Sequence, residues 1–72
     1  MNRDDVIREF MQKREERRKF AVVVLKNGIE ICNVGSVDYH PEYDDYVIFY
    51  PVGLYNETDS VIVRCDLIEE IR

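Results

Sequence analysis

The apolar pattern of this chain changes its period once, at Phe20, and that change constrains the fold more than any other feature. Before Phe20, four apolar residues share one face of a helix at the 3.6-residue repeat: Val6, Ile7, Phe10 and Met11. From Phe20 onward comes a largely β-branched run over residues 20–25, which is typical of a strand. The sequence therefore predicts an N-terminal helix over residues 1–19 and a sheet over residues 20–72.

The two ends of the predicted helix differ in character. Asn2 can accept a hydrogen bond from a free amide of the first turn, where Asp4 and Asp5 also suit the helix dipole. The last turns are basic and carry Arg14, Arg17, Arg18 and Lys19. We expect the apolar half of the helix to pack on the sheet and the basic half to overhang the core.

Turn-forming residues divide the remainder into five short strands. Asn27-Gly28 suits a two-residue type I′ hairpin, Gly35 permits a bend, and Pro41 interrupts pairing. The predicted strands cover residues 20–25, 29–34 with a continuation to 39, 43–52, 60–64 and 67–71, with a turn-rich stretch over 53–59. The sequence predicts a single mainly β domain over residues 1–72. Because the third strand has apolar or aromatic side chains on both faces, we expect its sheet to be a strongly bent, five-stranded antiparallel small barrel.

The length of the chain makes a lone monomer marginal. A domain near 72 residues buries only about 60% of the surface that its unfolded form exposes. Short chains add stability through disulfides, a structural metal or self-association. Two cysteines, Cys32 and Cys65, and one histidine, His40, cannot make a tetrahedral zinc site within one chain. We therefore expect no metal and no cofactor, and self-association is the favoured explanation.

Several other classes of protein are disfavoured. The N-terminal apolar residues are interleaved with charges, unlike a signal peptide, and no run approaches the ~20 apolar residues of a membrane span. With two cysteines and no export signal, a cytoplasmic location is expected. One histidine and no glycine-rich phosphate loop predict a protein that is not an enzyme.

The charge of the chain is unevenly distributed. The net charge is −5, yet residues 1–19 hold seven cations against five carboxylates, while residues 20–72 hold three against ten. Phosphate binding depends on Lys and Arg, so the total disfavours a nucleic-acid partner. The distribution instead describes a basic end attached to an acidic body.

Three strings resemble the Sm and Sm-like family, in particular its bacterial Hfq branch. Residues 24–31 are similar to the family's first hairpin, and residues 43–49 to the Hfq string Phe-Asp-Gln-Phe followed by apolar residues. Residues 63–71 resemble the second Sm motif, Ile-Arg-Gly-Asn-x-Ile-x-x-Ile. The departures are Cys65 in place of the motif's glycine, Asn33 where a glycine commonly bends the second strand, and an apparent insertion over 34–42. Gly35 is expected to take over the bending.

The resemblance implies a homohexameric or homoheptameric ring, closed by pairing of the fourth and fifth strands of neighbouring copies. It also implies binding of single-stranded, uridine-rich RNA. The implied pore residues are Tyr46, Asp45, Arg64 and Cys65. The implied rim residues are Arg14, Arg17, Arg18 and Lys19. A base stacking on an aromatic ring is worth about 1–3 kcal/mol, so a role for Tyr46 is physically reasonable.

Plainer interpretations stand beside each site. Tyr46 can equally be an aromatic residue of the core or of an interface, and Arg64 can pair with Asp44, Asp45 or Asp66. The rim residues can form a solvated helix end. The stretch from Asp38 to Asp45 has no recognised metal-ligand spacing and is interpreted as an exposed acidic loop. The alternative function is a ring or small barrel that binds proteins rather than RNA. A third possibility is an unrelated monomeric α+β domain whose helix crosses an open sheet.

Overall fold

The computed structural model describes residues 1–53 and 60–72 and contains one helix and five strands. The elements are α1 (Arg3–Arg17), β1 (Ala21–Leu25), β2 (Glu30–Tyr39), β3 (Tyr46–Pro51), β4 (Val61–Arg64), a 3₁₀ turn (Cys65–Leu67) and β5 (Ile68–Ile71). The predicted mainly β domain with an N-terminal helix is confirmed. Apart from Gly53, the predicted turn-rich stretch over 53–59 lies outside the described residues.

The strands form one antiparallel sheet in the order β4-β3-β2-β1-β5. β4 pairs with β3, and β5 pairs with β1. Within the described residues no ladder joins β4 to β5, so the predicted closure into a barrel is wrong. The cause is the 3₁₀ turn: the carbonyl of Leu67 accepts from the N–H of Lys26 at 2.8 Å, which directs β5 onto β1. The sheet therefore has two open edges, each four residues long.

β2 is the strand at which the sheet changes direction. Its first half pairs with β1 and its second half with β3, and Val34 has a partner on both sides, Ala21 and Pro51. Both ladders shift register beside Val34, which marks irregularities of the kind that bend a strand. Most of the apparent insertion over residues 34–42 is this second half of β2.

Two residues mark the bend: Asn33, within the irregular part of the β1 ladder, and Gly35, as predicted, at the register shift of the β3 ladder between Val34 and Ser36. Asn33 adopts φ 57°, and its carbonyl accepts from the N–H of Val52 at 2.8 Å. Asparagine tolerates this left-handed conformation better than most residues because its short amide can bond locally. Gly35 also allows a close approach, because a Cβ there would stand 2.9 Å from Cγ2 of Val52.

The core lies between α1 and the sheet. Val6 and Phe10 are the helix residues buried in it, and the Phe10 ring lies 6.2 Å from that of Phe49. The sheet contributes Ala21, Val23, Val34, Val47, Phe49, Val63, Ile68 and Ile71, with Cys65 from the 3₁₀ turn. Met11 is 63% exposed, so its predicted packing is wrong. One residue beyond Phe10, the helix has rotated its side chain away from the sheet.

Both ends of α1 have defined caps. Asn2 accepts from the N–H of Asp5 at 2.8 Å, as predicted. The helix ends at Arg17, two residues earlier than expected, because Arg18 adopts φ 54° and donates its N–H to the carbonyl of Arg14 at 2.9 Å. This left-handed residue stops the helix before Lys19.

The β1–β2 hairpin has a three-residue turn rather than the predicted type I′ turn. Gly28, at φ 88°, donates to the carbonyl of Leu25 at 2.9 Å, and Leu25 donates to Ile29 at 2.8 Å. A type I′ turn also needs a positive φ at Asn27, and Asn27 is not among the positive-φ residues described. Its side chain accepts from the N–H of Ile29 at 3.0 Å instead.

Substitution of Asn33 tests the origin of the bend. Asn33→Ala should lower the free energy of unfolding by about 1 kcal/mol, because Ala adopts the left-handed region at a cost of ~1–2 kcal/mol. Asn33→Gly should leave it within about 0.5 kcal/mol of wild type. Urea titration followed by circular dichroism measures both variants. Equal effects of the two substitutions would show that the side chain, and not the backbone conformation, matters here.

Candidate nucleic-acid interface

The turn between β2 and β3 meets the 3₁₀ turn after β4 at one edge of the sheet. The carbonyl of Asp45 accepts from the N–H of Cys65 at 2.8 Å. Tyr46 and Arg64 are direct partners in the β3–β4 ladder. The four residues implied for the pore are therefore neighbours, although they come from distant parts of the sequence.

The N-terminus of α1 completes a cleft at this edge. The cleft has a volume of about 480 Å³ and is lined by Met1, Asn2, Arg3, Asp4, Asp44, Asp45, Arg64, Cys65 and Asp66. Two ties hold the helix end beside it. Arg3 Nη1 lies 3.0 Å from Asp44 Oδ1, and the Tyr39 hydroxyl donates to Asp4 at 2.8 Å.

The Tyr39 phenol is held in its protonated form by its surroundings. Its pKa is raised first by the hydrogen bond to Asp4, then by desolvation and by the negative charge of Asp4. The Arg3 guanidinium, 5.0 Å from the ring centre, opposes the rise. Tyr39 therefore acts here as a hydrogen-bond donor that fastens β2 to α1.

Both arginines of the cleft are paired with carboxylates. Arg64 binds Asp66 bidentately, with Nε to Oδ1 at 3.1 Å and Nη2 to Oδ2 at 3.0 Å, which is the plainer interpretation given above for this arginine. Arg3 is bound to Asp44. The side chains lining the cleft thus include two arginines and four aspartates. A phosphate entering this cleft meets an acidic surface.

An aromatic cluster stands beside the cleft. The ring of Tyr46 lies 5.8 Å from that of Tyr43 and 6.2 Å from that of His40, and His40 lies 5.0 Å from Tyr43. Tyr43 is 57% exposed. Of these three rings, only that of Tyr46 was predicted to contact a base. The Pro41 turn between the strands was the available signal that His40 and Tyr43 lie near it.

The two cysteines differ in exposure. Cys65 is 3% exposed, and burial raises the pKa of its thiol, with smaller contributions from Asp45 and Asp66. Cys32, in contrast, is exposed. Cys32 lies one residue before the bend, on a face of β2 that the helix leaves uncovered.

Alkylation tests this difference. Brief iodoacetamide treatment of the folded protein at pH 8 should add one carbamidomethyl group, on Cys32, because the thiol of Cys65 is both shielded and held protonated. Intact-mass spectrometry gives the count, and peptide mapping gives the position. Cys32→Ser should abolish the rapid modification. Two adducts at the same rate in the native wild-type protein would contradict the burial of Cys65.

The four residues implied for the rim lie at the other end of α1. A helix of 15 residues is about 22 Å long, so rim and cleft are separate sites. Arg14 stacks over Phe20, with Cζ 5.3 Å from the ring centre, while Arg17, Arg18 and Lys19 are exposed. Among the described residues, none of the four has a carboxylate within 4.0 Å. This end of the helix is the accessible basic surface.

Over residues 1–53 and 60–72, no three His, Cys, Asp or Glu side chains converge in a geometry that could hold a metal ion. Over the same ranges, no helix is long and apolar enough to cross a membrane.

Comparison with known proteins does not assign a family. No protein-family model matches the chain, and neither the curated proteins nor the solved structures give a significant match. The fold defines a small, mainly β domain with an N-terminal helix. The resemblance to Sm-like proteins continues to rest on the three sequence strings.

Proposed function

We propose that this protein assembles through its open sheet edges into a ring of six or seven copies that binds single-stranded RNA. The observation that carries the proposal is the strand order β4-β3-β2-β1-β5, which leaves β4 and β5 at opposite edges. An open edge presents backbone groups that can template pairing with another chain. Pairing β4 of one copy with β5 of the next repeats the same head-to-tail contact, and a rotation of about one sixth or one seventh of a turn per copy closes it as the proposed ring.

The two edges are suited to each other. Each is four residues long, and β4 carries an exposed apolar side chain, Ile62, at 55% exposure. β5 presents Glu69 and Glu70 as exposed residues between the buried Ile68 and Ile71. Pairing would shield Ile62 and use backbone groups that a monomer leaves to water.

The assembly is tested by native mass spectrometry at micromolar concentration. Wild type should give a single oligomer of six or seven subunits. Ile62→Glu should weaken each interface at least tenfold, because burying an apolar side chain is worth about 1.5–3 kcal/mol and the paired edge already carries Glu69 and Glu70. Ile29→Glu is the matched control, since Ile29 is about as exposed, at 57%, but directly follows the β1–β2 turn. A monomeric wild-type protein would refute the ring.

Within the proposed ring, we assign phosphate binding to the rim rather than to the cleft. The rim cations are free of carboxylate partners among the described residues, whereas Arg3 and Arg64 are engaged by Asp44 and Asp66. Tyr46 and Tyr43 supply aromatic faces on which bases can stack. When a ring repeats the same basic surface in each copy, an RNA strand that contacts several copies binds with higher avidity.

RNA binding is tested by fluorescence anisotropy with short U-rich and A-rich RNAs at several salt concentrations. Arg17→Gln/Lys19→Gln should lower the salt slope by about 1.4, as expected for two lost phosphate contacts on a single strand. This pair leaves Arg18, the left-handed cap, unchanged. Arg8→Gln/Lys26→Gln removes the same charge elsewhere and should leave the slope nearly unchanged.

The same titrations separate stacking from charge. Tyr46→Ala should weaken binding by about 1–3 kcal/mol without changing the salt slope, because a stacked base contributes no counterion release. Absence of binding by wild type at low salt would end the RNA proposal while leaving the ring intact.

The acidic cleft favours a second candidate, a ring that binds a basic protein segment. Its four aspartates lie on one surface of a chain with net charge −5. If RNA binding fails, titration with a Lys/Arg-rich peptide distinguishes this alternative. Asp44→Asn/Asp45→Asn should then abolish peptide binding, and Glu15→Gln/Glu16→Gln, the same charge change on the helix, should not.

A further inference from the structure

The turn between β2 and β3 closes on the side chain of His40. Nδ1 of His40 accepts from the N–H of Glu42 at 3.1 Å and from the N–H of Tyr43 at 3.2 Å. Pro41 has no N–H, so these are the first two backbone donors after His40. Two longer backbone bonds join the ends of the turn, His40 N to Tyr46 O at 3.4 Å and Tyr46 N to Tyr43 O at 3.3 Å. The two shorter bonds both end on one imidazole nitrogen.

This arrangement requires a neutral imidazole. A ring nitrogen accepts a hydrogen bond only while it carries no proton, so the single ring proton of His40 must lie on Nε2. Histidine is the side chain that ordinarily changes charge between about pH 5 and 8. A second proton converts Nδ1 from an acceptor into a donor, and both N–H groups of the turn then lose their acceptor.

We propose that His40 is a pH-operated latch on the β2–β3 turn. The neutral ring holds the turn closed, and protonation releases it. The turn carries Tyr43, whose ring lies 5.0 Å from that of His40, and Asp44, which binds Arg3 of α1. Release therefore loosens the aromatic cluster and the tie between the turn and the helix. The latch is independent of whether the protein binds RNA.

The charged surroundings of the latch come from three elements. The turn itself contributes Glu42, Asp44 and Asp45, together with the Tyr43 phenol. The N-terminus of α1 contributes Arg3 and Asp4. Arg64, across the ladder from Tyr46, and its partner Asp66 flank the turn from β4.

Two substitutions separate the acceptor from the ring. In His40→Asn, the side-chain Oδ1 occupies the same bonded position as Nδ1 and forms the equivalent turn with the following N–H groups, but it does not titrate in this range. His40→Phe keeps an aromatic ring beside Tyr43 and Tyr46 and has no acceptor. Both residues suit the partly exposed site, and circular dichroism verifies that each variant is folded.

The test is nuclear magnetic resonance of the ¹⁵N-labelled full chain, in which His40 is the sole histidine. Long-range ¹H–¹⁵N spectra at pH 8 should show Nδ1 without a proton. Between pH 8 and 5, the amide signals of Glu42 and Tyr43 should shift with the midpoint of the imidazole. Their protection against hydrogen exchange should fall about fivefold, the factor expected for loss of one ordinary hydrogen bond. The Gln12 and Val23 amides serve as internal references.

The variants give opposite outcomes. His40→Asn should keep the protection of both amides at all pH values in this range, and His40→Phe should lack it at all of them. Any of three results would overturn the latch. They are a proton on Nδ1 at pH 8, amide signals of Glu42 and Tyr43 that do not shift with the imidazole, and a pH response in His40→Asn equal to that of wild type.

Discussion

The fold depends on one strand that serves two ladders. β2 pairs with β1 over its first half and with β3 over its second, and the fully buried Val34 joins the two at the bend. The left-handed Asn33 and the register shift at Gly35 flank this residue and bend the ten-residue strand, so that its two ladders surround one small core. The outer strands complete the sheet, since β4 pairs with β3 and the 3₁₀ turn directs β5 onto β1.

Much of the secondary structure was predictable because its signals are local. The change of period at Phe20, the cap at Asn2 and the turn residues Asn27 and Gly28 each act over a few residues. Their details were less predictable. The turn has three residues instead of two, and the helix ends at Arg17 because Arg18 adopts a conformation that its sequence does not favour. Small backbone differences of this kind depend on the structure that surrounds the turn or the helix end, and not on the local residues alone.

The proximity of two predicted site residues could be anticipated from the sequence, for a different reason. Strand register brings Tyr46 opposite Arg64, and spacing within the resembling strings was enough to associate them. The ion-pair partner of Arg64 could not be predicted from the sequence. Asp44, Asp45 and Asp66 were all available partners for Arg64, and only the geometry of the 3₁₀ turn selects Asp66. The role of the His40 ring was equally hidden, because a histidine accepting two backbone hydrogen bonds leaves no pattern in a sequence.

The Arg64–Asp66 pair makes the cleft its own competitor. Asp66 occupies Nε and Nη2 of Arg64, so the donors that remain are Nη1 and the second hydrogen of Nη2. Because Asp66 is attached two residues away, it is present at a high effective concentration. The pair therefore offsets the charge that Arg64 brings to the cleft and holds its planar group in one orientation, with a single edge left open.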